Sequence, residues 1–238
     1  MRGPYGFELN ESCRTCRFRS AGFFCQLSPS AIKDLDAVKS LSAYPAGAVL
    51  FMEKQDSRGI FVLCQGQAKL TISSSEGKVL IVRIARPGEV LGLMATLSGK
   101  PYEVTAETLH ACQVAFVRRD NFLRVVSRHP DVYLGVVRQL TTLYDAAYDQ
   151  LRMVGLALSA PGKLAKLLLD WSITGEPTAQ GSGIKFSLTH EEIAEFIGTS
   201  RETVTRTLSD FKNQHLVSLQ GSTLMISNRA ALETLASV

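Results

Sequence analysis

The sequence predicts an α+β protein of three parts in order: a small antiparallel β domain of barrel or jelly-roll type, a long helix, and a winged helix-turn-helix. Three observations carry this. Between about Leu35 and Val117, short runs rich in Val, Ile and Phe recur between turn signals. From Asp131 to Ser159, apolar residues follow one another at steps of three or four. Residues 188–216 then read as two capped helices joined by a three-residue turn.

Composition permits this architecture. With 238 residues, 45% of them hydrophobic, and a mean hydropathy of +0.08, the chain buries a core sized for one large or two small domains. No stretch approaches the roughly 18 to 20 uncharged apolar residues of a membrane span. The first residues, MRGPYGFELN, lack the apolar core of a signal peptide. The expected location is the cytoplasm, with no membrane partner. The net charge of +4 permits an anionic partner without requiring one. Five cysteines, an odd number, include three in CRTCRFRSAGFFC, residues 13–25. In a reducing compartment such a cluster points to metal binding or redox sensing rather than to a disulfide framework.

Within the β region the runs are AVLFM, GIFVLCQG, AKLTISS, VLIVRIA and ACQVAFV, with turns at SSEGK and RPGEV. Several alternate apolar with polar, as half-buried strands do. The helix from Asp131 to Ser159 carries Val136, Leu140, Leu143, Ala147, Leu151, Val154 and Leu158 in one stripe. At ~1.5 Å per residue it spans roughly 40 Å, longer than a small domain needs, so the stripe is expected to be a coiled-coil dimer seam, with packing of the helix along its own β domain as the other reading. Polar Arg138, Gln139, Asp145, Asp149 and Arg152 occupy the other faces. SAPG at 159–162 is expected to be a break and hinge.

In LTHEEIAEFIGTSRETVTRTLSDFKNQHL, Thr189 caps a helix with Glu192 completing a capping box. Gly198 ends that helix and Ser200 caps the next. Arg201, Glu202, Thr205 and Arg206 project from the first turns of the second helix, opposite Val204, Leu208 and Phe211. That is where a recognition helix meets base edges. An arginine donates two bonds to guanine, and a glutamate accepts from cytosine N4. LVSLQGSTLMISN supplies two short strands about Gly221, a wing. Residues 185–238 hold five Lys or Arg against six Asp or Glu, so phosphate attraction must come from local groups and helix N-termini. An enzyme is not expected: His110, His129, His190 and His215 lie apart, and no Ser-His-Asp, P-loop or dinucleotide fingerprint is present.

The order of these parts, and above all TSRETVTRTL followed by LVSLQGSTLMI, resembles the Crp/Fnr family of bacterial transcription regulators over essentially the whole chain. The resemblance implies a cysteine-rich segment at 1–27, a cyclic-nucleotide-binding-like jelly-roll sensor at 28–120, a dimerisation helix region at 121–159 and a winged-helix DNA-binding domain at 160–238. It implies a homodimer on a two-fold symmetric double-stranded operator, in contact with RNA polymerase. Thr189, Ser200, Arg201, Glu202, Thr205 and Arg206 would face DNA, with half-sites of the TGTGA or the TTGAT kind both open.

The family's cyclic-AMP-binding members hold the phosphate with a Gly-Glu-Leu turn and an Arg-Ser pair. Here, in PGEVLGLMATLSGKPYEVTAET, Leu93 follows Gly92, and Tyr102 and Glu103 stand at the Arg and Ser places. A carboxylate there repels an anion, so no cyclic nucleotide is expected.

Cys13 and Cys16 have C-x2-C spacing and Cys25 follows after eight residues. The oxygen-sensing Fnr branch resembles this, with a fourth cysteine at the strand leading to the dimer helix. Cys112 falls there, which implies a [4Fe-4S] cluster on Cys13, Cys16, Cys25 and Cys112. Cys64, inside a strand pattern, is expected to be a buried thiol. The gap before Cys25 is longer than the branch's usual one. Zinc on the same thiolates, a metal-free thiol switch, and a regulator sensing haem or a small effector stay open. Arg14, Arg17 and Arg19 would offset thiolate charge in any thiol-based site.

Overall fold

The computed structural model describes residues 4–6, 12, 13, 16, 22–155, 159–174, 177, 178, 181–185, 188–220 and 223–237. The chain divides into two compact units, Met1–Gly77 with Val82–Ala147, and Lys78–Ile81 with Tyr148–Val238.

The first unit opens with α1 (Pro29–Val38), started by Ser28, whose hydroxyl accepts from Ala31 N, and by Pro29 in the first turn. The strands β1 (Lys39–Tyr44), β2 (Val49–Phe51), β3 (Gly59–Gln65), β4 (Ala68–Ser73), β5 (Val79–Ala85) and β6 (Val90–Leu91) follow. A one-and-a-half-turn α2 (Leu93–Ser98) precedes β7 (Thr105–Thr108) and β8 (Cys112–Arg118). Then come α3 (Arg119–Arg128) and α4 (Pro130–Gly155). Two antiparallel sheets result, in the orders β1-β8-β3-β6 and β2-β7-β4-β5, the expected jelly roll. The four strands of the β-rich reading longer than three residues all lie where their apolar runs stand.

Strand alternation splits the core in two. Phe61 and Leu63 of β3 and Val114 of β8 point between the sheets, with Phe51, Leu70 and Tyr102. Ile60 and Val62 of β3 and Ala115 and Val117 of β8 point the other way, to Ile32, Leu35, Phe122, Val125, Val132 and Val136 of the helices. The antiparallel register, Ile60 opposite Val117 and Val62 opposite Ala115, keeps each set on one face.

In the second unit, α5 (Ala160–Thr174) packs on α6 (His190–Ile197), α7 (Arg201–Asn213) and α8 (Arg229–Ala236). β9 (Pro177–Thr178), β10 (Gly181–Lys185), β11 (Val217–Gln220) and β12 (Thr223–Ile226) form a sheet in the order β11-β12-β10-β9. Leu164, Leu167, Leu168, Ile193, Ile197 and Leu208 are buried. Within this unit Gln150 of α4 donates both amide hydrogens to backbone carbonyls, of Ile81 at 3.0 Å and of Phe196 at 2.8 Å.

The SAPG stretch opens a helix: Ala160 begins α5 after α4 has ended at Gly155, Ser159 Oγ accepts from Gly162 N at 3.3 Å, and Pro161 stands in the first turn, where its missing N–H has no intrahelical partner to lose. One expectation is changed. The expected seam on α4 faces largely inward. Val136 is buried and Leu140 packs against the same cluster, Leu143 and Val154 are half-buried, and of the described members only Ala147 and Leu151 are exposed. Leu158 lies outside the described residues. The large exposed apolar residues of α4 are Tyr133, Leu134, Val137, Tyr144, Tyr148 and Leu151, and from Leu134 on they step, with Thr141, by 3, 4, 3, 4, 3; of these Leu151 alone is shared with the expected stripe. Leu134 and Val136 are two residues apart, roughly 200° around a helix, so stripe and exposed face are opposite there.

Candidate DNA interface and thiol site

The helix pair that could enter a groove is built from local signals. Thr189 Oγ1 accepts from Glu192 N at 3.2 Å while Glu192 Oε2 accepts from Thr189 N at 2.9 Å, a complete capping box. Gly198, at φ 67°, takes the left-handed turn that ends α6, and its N–H bonds to Ala194 O. Ser200 Oγ then accepts from Thr203 N at 3.2 Å, opening α7. Val204, Thr207, Leu208 and Phe211 turn inward, which leaves Arg201, Glu202, Thr205 and Arg206 exposed on one side of the helix start.

His190 Nδ1 lies 2.9 Å from Thr205 Oγ1, fixing that side chain against α6. Backbone N–H bonding at the helix start, with the Ser200 hydroxyl, holds the Glu202 carboxyl below its usual range, so it stays an acceptor at neutral pH. Thr189 and Ser200 are exposed as well, with hydroxyls engaged in their caps. The wing strands β11 and β12 pair through Gln220–Thr223. Gly221, expected at their turn, lies outside the described residues.

Inside the jelly roll, Tyr102 is 3% exposed. Its hydroxyl donates to Gly59 O at 2.8 Å and accepts from Arg58 N at 3.2 Å, and its ring stacks on Phe51 at 4.1 Å. Gly92 makes room for it: a Cβ there would stand 2.6 Å from the ring.

The cysteines separate into two places. Cys13, Cys16 and Cys25 line one cavity of about 30 Å³, together with Cys64, Lys39, Phe24 and Val62. Lys39 of β1 donates to Cys13 Sγ at 3.2 Å and pairs with Asp36 of α1, which also accepts from Ser12 Oγ at 3.0 Å and Cys13 N at 3.3 Å. Burial raises the Cys13 thiol, and burial pushes Cys64 up to about 12, with the nearby Cys13, Cys16 and Cys25 adding to it. A Cys64 thiol kept protonated by burial and by neighbouring sulfurs is the situation a bound cation reverses.

Cys112 is elsewhere, away from the cavity that Cys13, Cys16 and Cys25 line. It is fully buried between the sheets, and its thiol donates to His110 O at 3.1 Å and Gln67 O at 3.3 Å. On β8 it shares a face with Val114, opposite the Ala115 and Val117 side that meets the N-terminal arm. Cys64, read from sequence as core, is the strand thiol that joins the other three. The signal was period-2 parity: Ile60, Val62 and Cys64 alternate onto the helix-covered face. Among the described residues, no three His, Cys, Asp or Glu are drawn together tightly enough to hold a single metal ion.

A jelly roll followed by a winged helix with an exposed polar face on its second helix is an arrangement suited to DNA binding. Residues 41–129 match the cyclic nucleotide-binding domain family, and residues 162–235 match the Crp-like helix-turn-helix domain family. The chain is 26% identical to the CRP-like cAMP-activated global transcriptional regulator of Mycobacterium tuberculosis over 214 residues, 89% of this chain and 95% of that one. It is 23% identical to the cAMP-activated global transcriptional regulator CRP of Salmonella typhimurium over 184 residues, 77% and 87% of the two chains. Its fold is like that of FixK2 from Bradyrhizobium japonicum, with TM-score 0.74, 21% identity, and 84% and 98% of the chains covered. The chain thus pairs a region similar to the cyclic nucleotide-binding domain with one similar to the Crp-like helix-turn-helix domain, the combination carried by the regulators it resembles over most of its length. No described helix is long and apolar enough to cross a membrane.

Proposed function

We propose that this regulator binds a two-fold symmetric operator as a homodimer, meets RNA polymerase there, and is gated by oxygen, redox state or nitric oxide through an iron–sulfur cluster on its N-terminal thiols. The observation that carries the sensing part is the gathering of Cys13, Cys16 and Cys25 on one cavity against the jelly roll. The donors fit the group: every metal-ligating side chain lining the cavity is a thiol, and the buried Lys39 offsets thiolate charge. A cluster there would supply the oxygen-sensitive chemistry; the chain's own residues do the rest.

Arg201, Glu202, Thr205 and Arg206 would read base edges. A second copy would cover Leu134, Val137, Thr141, Tyr144, Tyr148 and Leu151, whose 3-4 spacing suits a two-helix seam. The matched relatives are cAMP-activated, whereas here the buried Tyr102 ring takes the interior, so no cyclic nucleotide is assigned as effector.

The test is iron and acid-labile sulfide on protein purified without oxygen, with operator binding measured before and after air. About four of each per chain, a broad absorbance near 400 nm that bleaches in air, and weaker binding afterwards are expected. A colourless protein whose operator affinity ignores air sinks the sensor reading and leaves the DNA-binding class intact.

A further inference from the structure

We infer that Cys64, at a bulge in β3, is the fourth protein ligand of the metal centre held by Cys13, Cys16 and Cys25, and that Cys112 is not a ligand. This rests on the sensor reading above and departs from the ligand set that the sequence resemblance implied. Three independent observations support it.

The first is placement. Cys64 lines the same cavity as the three arm cysteines, and Cys112 does not. Cys13 and Cys64 pack against the same apolar cluster, which includes Leu35, Val62, Ala115 and Val117, while Cys112 belongs to the cluster between the sheets. To reach the arm, Cys112 would have to cross its own sheet.

The second is the backbone. β3 and β8 pair Leu63 with Val114 and then Gln65 with Gln113, so Cys64 is the extra residue of a bulge. A bulge leaves one residue outside the regular ladder, a device common beside functional sites, and here strand parity keeps that residue on the side of Ile60 and Val62. A cysteine that served only as core needs no such irregularity.

The third is commitment elsewhere. The Cys112 thiol already donates to two carbonyls in a closed interior, with Gly66 so near that a Cβ there would stand 2.5 Å from its sulfur. Cys64 has one long contact, to Val62 O in its own strand, at 3.6 Å.

Cys64 is fixed by a strand, while the other three thiols come from the N-terminal arm and the 3₁₀ turn Phe23–Cys25. Metal–sulfur bonds from one centre to Cys64 and to the other three thiols would join the N-terminal arm to β3. Loading the centre therefore fastens the arm to the sheet. The bonds formed are metal–sulfur bonds, and each coordinating thiol releases one proton to solvent.

The experiment uses the full chain, purified without oxygen as wild type, Cys64→Ser and Cys112→Ser, with iron, acid-labile sulfide and zinc determined on each. Cys64→Ser is expected to lose metal by roughly tenfold or more, since ligand-sphere changes alone cost that much. Cys112→Ser is expected to keep the wild-type content. Circular dichroism checks the folding of each variant.

Should Cys64→Ser fail to fold, differential alkylation of the wild type replaces it: Cys13, Cys16, Cys25 and Cys64 should gain label on metal removal while Cys112 does not. Loss of metal in Cys112→Ser with retention in Cys64→Ser overturns the inference and leaves the sensor reading standing. Retention in both variants, or unchanged labelling of Cys64, overturns it too. A wild type carrying neither iron nor zinc overturns the sensor reading and this inference together.

Discussion

At the scale of single residues, the DNA face and the thiol site are governed by the same fact, which way a side chain is aimed by its element. α7 aims Arg206 outward because Val204, Thr207, Leu208 and Phe211 take the inward positions. Arg206→Ala removes a bidentate donor without touching that core. Operator affinity should fall by about 1–3 kcal/mol, and the preference at one base pair of each half-site should relax. Fluorescence anisotropy on operators varied one base at a time measures both. A uniform loss across all sequences would make Arg206 a phosphate contact instead. The Arg and Glu identities and their place in the helix were legible in the sequence, because caps and periodicity are local. The surroundings of Cys64 were legible only in part: strand parity puts it on the side of Ile60 and Val62, but which side of the sheet meets the N-terminal segment is decided by packing that neither strand run contains.

At the scale of elements, the strands were read well because turn residues bound them and their side chains alternate. α4 was read correctly as a long helix and wrongly as to face. An amphipathic helix that packs on its own domain with one side and presents apolar residues on another carries two stripes, and the richer in Val and Leu is the buried one. The break expected at SAPG falls between α4 and α5, and its Pro161 and Gly162 sit inside the first turn of α5, where proline is favourable. The exchange of stripes has a testable consequence. Val137→Glu combined with Tyr144→Glu, both exposed and both outside the first-named stripe, should yield a folded monomer by sedimentation, since like charges would meet across a two-fold seam. Val136→Ala should instead cost about 1–3 kcal/mol of stability through a core cavity and leave the dimer assembled. A dimer that survives the double glutamate change, or dissociates with Val136→Ala, would restore the originally expected seam.

At the scale of the whole molecule, the sensor arm has to reach the helix that the proposed dimer uses, and the first unit contains that link. Ser28 N, the start of α1, donates to Asp131 Oδ2 in the first turn of α4 at 2.8 Å, and His129 Nε2 lies 2.9 Å from Asp34 Oδ2. Phe24, beside Cys25, stacks on Phe122 at 6.2 Å and shares a cluster with Val132 and Val136 of α4. Fastening the arm to β3 through Cys64 thus biases groups that end on α4. The Ser28 N–H bond lowers the Asp131 pKa against the opposing effect of burial. A carboxyl depressed in the folded state stabilises above its ordinary pKa near 4, and the contribution is lost as pH falls through the lowered value. At neutral pH the tie is therefore intact, and ordinary pH changes do not work it. Asp131→Ala cuts it directly. If the tie carries the signal, the variant should bind as much metal as wild type while the ratio of operator affinities, loaded over metal-free, falls from the roughly 5- to 150-fold of a typical coupling toward one. Metal content and anisotropy on the same preparations separate this from a loss of the site itself. An Asp131→Ala protein with the full ratio would mean that the apolar cluster around Phe24, not the Ser28–Asp131 bond, transmits the state of the arm to α4.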